Sequence, residues 1–119
     1  MAIEMDTLSL TFHALADPTR RGILARLASG DADVTELGKP FGLSQPTISK
    51  HLKVLERAGL VARRKDAQRR PRTLVSAPLH DVDRWLGTYR ASWERQFRRL
   101  DQLLASSPRK ERRRGRRAR

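Results

Sequence analysis

The sequence predicts a mainly α-helical domain that carries one small β-hairpin and ends in a long helix. Three observations predict it. Apolar residues recur at intervals of three and four along most of the chain, the period of a helix with one buried face. That period breaks between Leu60 and Ser76, where two short runs with strand character flank a polar loop. At 119 residues the chain suits one domain with one modest core.

The elements follow in order. Leu8, Phe12 and Leu15 fit a first short helix. Asp17-Pro18 opens a second, because Asp caps well and Pro at the first helical position gives up no needed N–H. Ile23, Leu24 and Leu27 form its buried face, and Ser29-Gly30-Asp31 closes it. Thr35 to Phe41 reads as a third, short helix with Leu37 inward and Pro40 limiting its length. Gly42-Leu43 makes a tight connection, and Ser44 caps a fourth helix running from Gln45 to Ala58. Ile48, Leu52 and Leu55 are its apolar face. Gly59 suits the left-handed position after its end, and Leu60 returns onto Leu55. Leu60 to Lys65 and Arg72 to Ser76 then form two strands around the loop Asp66 to Arg70, with Pro71 at a strand start. A hairpin this small must lean on the helices. Leu79 to Leu104 is one long helix, with Val82, Leu86, Tyr89, Trp93, Phe97, Leu100 and Leu104 spaced by threes and fours. Residues 1–106 are thus expected to form the domain. Residues 107–119, ending in ERRRGRRAR, have no large apolar side chain to bury and read as a disordered basic tail.

Charge narrows the function. There are 26 Lys and Arg against 13 Asp and Glu, a net +13. Such an excess points to an anionic partner, either nucleic acid or an acidic membrane surface. From Arg109 onward eight basic residues face one acid, a net +7, so Met1 to Pro108 keeps +6. The domain is basic without its tail. Cysteine is absent, which excludes disulfides, thiolate metal sites and a cysteine nucleophile. No apolar stretch approaches the roughly 18 residues of a membrane span, and MAIEMDTLSL lacks the basic start and apolar block of a secretory signal. A cytoplasmic protein is expected. With no Gly-rich phosphate loop and no grouped His, carboxylate and Ser, neither an enzyme nor a cofactor is expected.

The segment VTELGKPFGLSQPTISKHLKVLERAGLVARR carries the chemistry. Two short helices joined through a Gly-containing turn, the second well capped, form a helix-turn-helix unit. At about 100° per residue, Ile48, Leu52 and Leu55 share one side of the second helix. Pro46, Lys50, Lys53 and Arg57 project oppositely, and Thr47 and Ser49 flank them. A helix that reads DNA needs such a face: hydroxyls and the Gln45 amide for base edges, cations and the helix N-terminus for phosphates. On residue types alone, a solvated amphipathic helix is the competing reading.

The runs ADPTRRGILARLASG and VTELGKPFGLSQPTISKHLKVLERAGLV resemble the ArsR (arsenic-repressor) family of winged helix-turn-helix repressors, over about Leu8 to Leu104. The resemblance implies a homodimer on a palindromic operator in double-stranded DNA. It implies DNA contacts from Ser44, Gln45, Thr47, Ser49 and Lys50, to which the cationic face adds Lys53, and it makes the hairpin the wing. Arg63, Arg64, Lys65, Arg69, Arg70 and Arg72 flank a tip holding Asp66 and Gln68, so phosphate contact, with one Arg in the minor groove, is the expected use. The long helix holds both tryptophans, and its apolar stripe is longer than the small domain can cover. With the first helix it reads as a dimer surface of Leu8, Phe12, Val82, Leu86, Tyr89, Trp93, Phe97 and Leu100.

Founding members of that family sense metals through cysteines by the recognition helix or His and carboxylate pairs on the last helix. Here TELGKPFG has no cysteine, and the last helix offers only His80 beside Asp81 and Asp83. No metal site is expected, because transition-metal selectivity wants several N or S ligands, and the effector is left unknown. His51 has two readings, a local packing role or a phosphate contact. His13 and His80 read as surface or helix-end residues. Two other uses of the charge remain open: a sequence-independent nucleic-acid binder driven by the tail, and a membrane-surface binder, which lacks an amphipathic helix beside the basic run.

Overall fold

In the computed structural model, which describes residues 6–64, 68 and 70–106, helices α1 (Thr7–Leu15), α2 (Pro18–Ala28), α3 (Val34–Gly38) and α4 (Gln45–Arg57) precede strands β1 (Val61–Arg63) and β2 (Arg72–Leu74) and helix α5 (Ala77–Ala105). The tail at 107–119 and the hairpin residues Lys65, Asp66, Ala67 and Arg69 lie outside the described residues. The chain divides into two compact units, one reaching Asp83 and the other starting at Arg84.

Side-chain caps start the first four helices. Asp6 accepts from the Ser9 N–H at 2.7 Å, Asp17 from Arg20 at 3.0 Å, Asp33 from Glu36 at 2.9 Å and Ser44 from Thr47 at 3.4 Å. Each satisfies one of the N–H groups that a helix start leaves without an internal partner. Pro18 stands in the first turn of α2 and Pro46 in that of α4. The third helix is shorter than its sequence pattern: after Gly38 it tightens into a 3-10 turn, Lys39–Phe41, around Pro40. Gly42 then turns the chain at φ 62°. Gly59 ends α4 at φ 77°, and Leu60 N–H bonds back to the Leu55 carbonyl at 3.0 Å. The αL glycine and apolar return expected after α4 are both present.

The strands are antiparallel, with Val61 opposite Leu74, Ala62 opposite Thr73 and Arg63 opposite Arg72. They are shorter than the runs Leu60–Lys65 and Arg72–Ser76. Ala32, between α2 and α3, bridges to Arg72 in both directions: Arg72 N–H reaches the Ala32 carbonyl at 2.8 Å, and Ala32 N–H the Arg72 carbonyl at 3.2 Å. The hairpin is thereby stitched to the helical layer.

One core unites this unit. Ile23, Leu37, Ile48, Leu52, Leu55 and Leu60 are its largest fully buried apolar side chains, and Leu24, Leu27 and Val61 complete it. Fully burying each such side chain contributes roughly 1.5–3 kcal/mol before the entropy of ordering is set against it. In α1 the inward positions are Thr11 and Ala14. Thr11 is tolerated there because its hydroxyl donates to the Thr7 carbonyl at 2.9 Å. Phe12 remains 39% exposed.

The second unit, from Arg84, follows α5. Trp85 and Tyr89 meet edge to face with ring centres 5.2 Å apart. Tyr89, Phe97, Leu100 and Leu104 are exposed, whereas Leu86 and Trp93 are half-buried. Among the described residues no helix is long and apolar enough to cross a membrane.

Candidate nucleic-acid interface

Helix α4 buries Ile48, Leu52 and Leu55 completely and presents the opposite side outward. Ser44, Gln45, Pro46, Lys50, Lys53 and Arg57 are exposed, and Thr47 and Ser49 are half-buried at the flanks. The predicted reading surface is therefore brought together on one face. Ser44 and Thr47 hydroxyls lie 2.9 Å apart, which joins cap and first turn into one polar group. The Gln45 amide is also held: its Nε2 donates to Thr35 Oγ1 of α3 at 2.8 Å. Sequence reasoning passed over Thr35, since nothing local links two polar residues on different helices.

His51 points the other way, toward the α1–α2 junction. Its Nδ1 lies 3.9 Å from Asp17 Oδ2 and 3.5 Å from Arg20 Nη1. Arg20 in turn donates through Nε to the Ala14 carbonyl at 2.8 Å and through Nη2 to the His13 carbonyl at 3.0 Å. Of the two readings of His51, the local one matches this geometry. The Arg20 backbone N–H, with His51 and the Arg20 guanidinium nearby, holds the Asp17 carboxyl below the usual carboxylate range. One cluster thus ties α4 to the start of α2 and the end of α1.

The hairpin cations separate into two kinds. Arg63, Arg64 and Arg70 are exposed. Arg64 reaches Asp31 at 3.0 Å, and this contact, with the Thr73 hydroxyl, lowers the Asp31 carboxyl pKa. Arg72 differs: it is only 6% exposed, its Nε lies 3.1 Å from Glu56 Oε1, and its Nη1 donates to the Arg70 carbonyl. Arg63 Nε meets the same Glu56 oxygen at 3.1 Å. Arg72, expected among the outward wing cations, is instead buried between β2 and α4. Its count-based resemblance to its neighbours hid that, and the available signal was Glu56, an acid on an otherwise basic helix. Lys65 and Arg69 lie outside the described residues. Among the described residues, no three His, Cys, Asp or Glu side chains are grouped to hold a metal ion.

Of the expected dimer residues, Phe12, Tyr89, Phe97 and Leu100 are exposed, and Leu8, Val82, Leu86 and Trp93 are half-buried.

Comparison with known proteins turns this geometry into a family. Residues 17–63, from the α2 cap to the end of β1, match the model of the bacterial regulatory protein arsR family. The chain is 39% identical over 99 residues to the HTH-type transcriptional regulator Rv2034 of Mycobacterium tuberculosis, a match spanning 80% of this chain and 86% of the relative. The chain belongs to the ArsR family. Within it, the chain is 35% identical to the transcriptional repressor SdpR of Bacillus subtilis, covering 63% of this chain and 83% of SdpR. A solved ArsR family transcriptional regulator superposes with TM-score 0.69 at 39% identity, over 75% of this chain and 98% of that one. The homodimeric winged helix-turn-helix DNA-binding domain of a Mycobacterium bovis protein matches with TM-score 0.56 at 25% identity, over 82% and 94% of the two chains. The fold is the winged helix-turn-helix: α3 and α4 are the helix-turn-helix, and β1–β2 is the wing. The ArsR family is one of DNA-binding transcriptional regulators.

Proposed function

We propose that two copies of this chain form a cytoplasmic repressor that binds a palindromic operator and blocks transcription from the promoter it covers. The observation that carries this reading is α4, which sets an exposed Gln45, Lys50 and Lys53 over a fully buried Ile48, Leu52 and Leu55. In this reading the first turn of α4 enters the major groove, where Ser44, Gln45, Thr47 and Ser49 meet base edges. Lys50 and Lys53 meet phosphates, which fix register without reading sequence. Arg63, Arg64 and Arg70 extend the cationic surface onto the wing, and Lys65 and Arg69 belong to the same stretch of sequence. Arg72 is assigned to holding the wing in place.

The dimer is supported by the apolar face of α5 and by the homodimeric relative. The dimer contacts are assigned to Leu8 and Phe12 of α1 and to Val82, Leu86, Tyr89, Trp93, Phe97 and Leu100 of α5. Two recognition helices related by a two-fold axis call for half-sites one helical turn apart, roughly 10 base pairs centre to centre. The promoter upstream of the chain's own gene is the natural first operator to test. The tail favours a second reading, since eight basic residues against one acid bind any polyanion.

Fluorescence anisotropy distinguishes the two. Full-length protein and protein ending at Pro108 are titrated onto the upstream duplex and a shuffled duplex at physiological salt. A preference for the upstream duplex that survives truncation supports the repressor. Equal binding to both duplexes, lost with the tail, makes the protein a general binder and withdraws the base-reading roles from α4.

A further inference from the structure

The contact between Gln45 and Thr35 carries more than an anchor. Thr35 is held firmly. It lies in the first turn of α3, which Asp33 caps at 2.9 Å, and the neighbouring Leu37 is fully buried. Gly38 sits so close to α4 that a Cβ there would lie 3.3 Å from Ile48 Cγ1 and 3.2 Å from the Leu43 carbonyl. The β-branched Thr35 is also stiff about χ1. Its hydroxyl is exposed at the mouth of the helix-turn-helix, carried by a helix whose opposite side is anchored in the core through Leu37.

We infer that Thr35 is a positioning residue that fixes the Gln45 amide to read an adenine in each half-site; this rests on the DNA-reading role given to Gln45 above. A glutamine amide has one acceptor oxygen and two N–H donors. Thr35 Oγ1 takes one donor, at 2.8 Å. What remains is one donor beside one acceptor, in a set order. In the major groove adenine presents the complement, N7 as acceptor and the N6 amino group as donor. Guanine offers two acceptors there, cytosine one donor, and thymine one acceptor and a methyl, so none pairs with both halves of the amide. An unanchored glutamine flips and must be ordered on binding, whereas a held one is already arranged.

The test is selection of bound duplexes from a library randomised across the half-site, followed by anisotropy on single-base variants. Wild type should enrich adenine at one position of each half. Thr35→Val should lose about tenfold of that discrimination at that position alone, with the other positions and the salt dependence unchanged. Thr35→Ser, which keeps the hydroxyl, should restore it. Gln45→Glu should move the preference to cytosine, whose N4 amino group donates to a carboxylate. If Thr35→Val does not give a cooperative melt, Thr35→Ala supplies the same loss of hydroxyl. Undiminished adenine preference without the hydroxyl overturns the positioning role and leaves the repressor reading standing. A wild-type selection that enriches no sequence overturns both.

Discussion

Gln45 and Lys53 share the exposed face of α4 but are assigned different kinds of contact, and single substitutions separate them. Gln45→Ala should relax sequence preference and cost roughly 1–3 kcal/mol on the preferred duplex. Lys53→Ala should weaken all duplexes alike and reduce the logarithmic salt slope by about one unit. Equal, sequence-blind losses from both would move Gln45 from a base to the backbone. Acid sensitivity also belongs to single residues. Among the described residues, three carboxyls are held below their ordinary value of 3.8: Asp6 by the Ser9 backbone N–H, Asp17 by that of Arg20, and Asp31 by the Arg64 guanidinium. A depressed folded-state pKa gives stability that is complete above the unfolded value and is lost as pH falls through the folded one. Thermal midpoints should therefore decline once the pH drops below 3.8. Asp17→Ala should lower stability by about 1 kcal/mol at neutral pH, as a lost cap does, and blunt the acid response. A midpoint that held steady on acidification would contradict this assignment.

At the scale of elements, the wing is fastened to the recognition helix by one carboxylate. Glu56 accepts from both Arg63 and Arg72, but only Arg72 is buried. Arg72→Ala leaves Glu56 without its buried partner and should cost about 2 kcal/mol in urea unfolding. Arg63→Ala, at an exposed pair, should cost under about 1 kcal/mol while weakening DNA binding. The reverse pattern would make Arg72 a phosphate contact after all. The helix boundaries were legible because Asp17-Pro18 and Ser44 at starts, and Gly59 at an end, act on backbone groups within four residues of themselves. Leu52 and Leu55 were legible through the helical period. Arg72 was not, because six basic residues look alike in sequence and only the sixteen-residue separation to Glu56 sorts them. Strand length was not either, since a ladder ends where cross-strand partners do. In α1 the spacing of Leu8 and Phe12 marked a helix, yet its inward side is Thr11 and Ala14, which a count of large apolar residues overlooks.

At the scale of the whole molecule, Phe97 is 63% and Leu100 50% exposed on α5, and the proposed dimer would cover both. Wild type should sediment as a dimer at micromolar concentration. Phe97→Asp should sediment as a monomer with an unchanged helical spectrum, and should lose affinity for a two-half-site duplex far more than for a single half-site. A monomeric wild type would remove the two-half-site mechanism. The double bridge between Ala32 and Arg72 also bears on how the chain reaches this state. It joins the return strand of the wing to a connection formed much earlier in the sequence, so the hairpin closes locally but docks onto the helical layer by a non-local event, after an entropically costly loop search. In pulse-labelled refolding, the amides of α4 should become protected first. Those of Ala32 and Arg72 should follow together, as the last seam to shut.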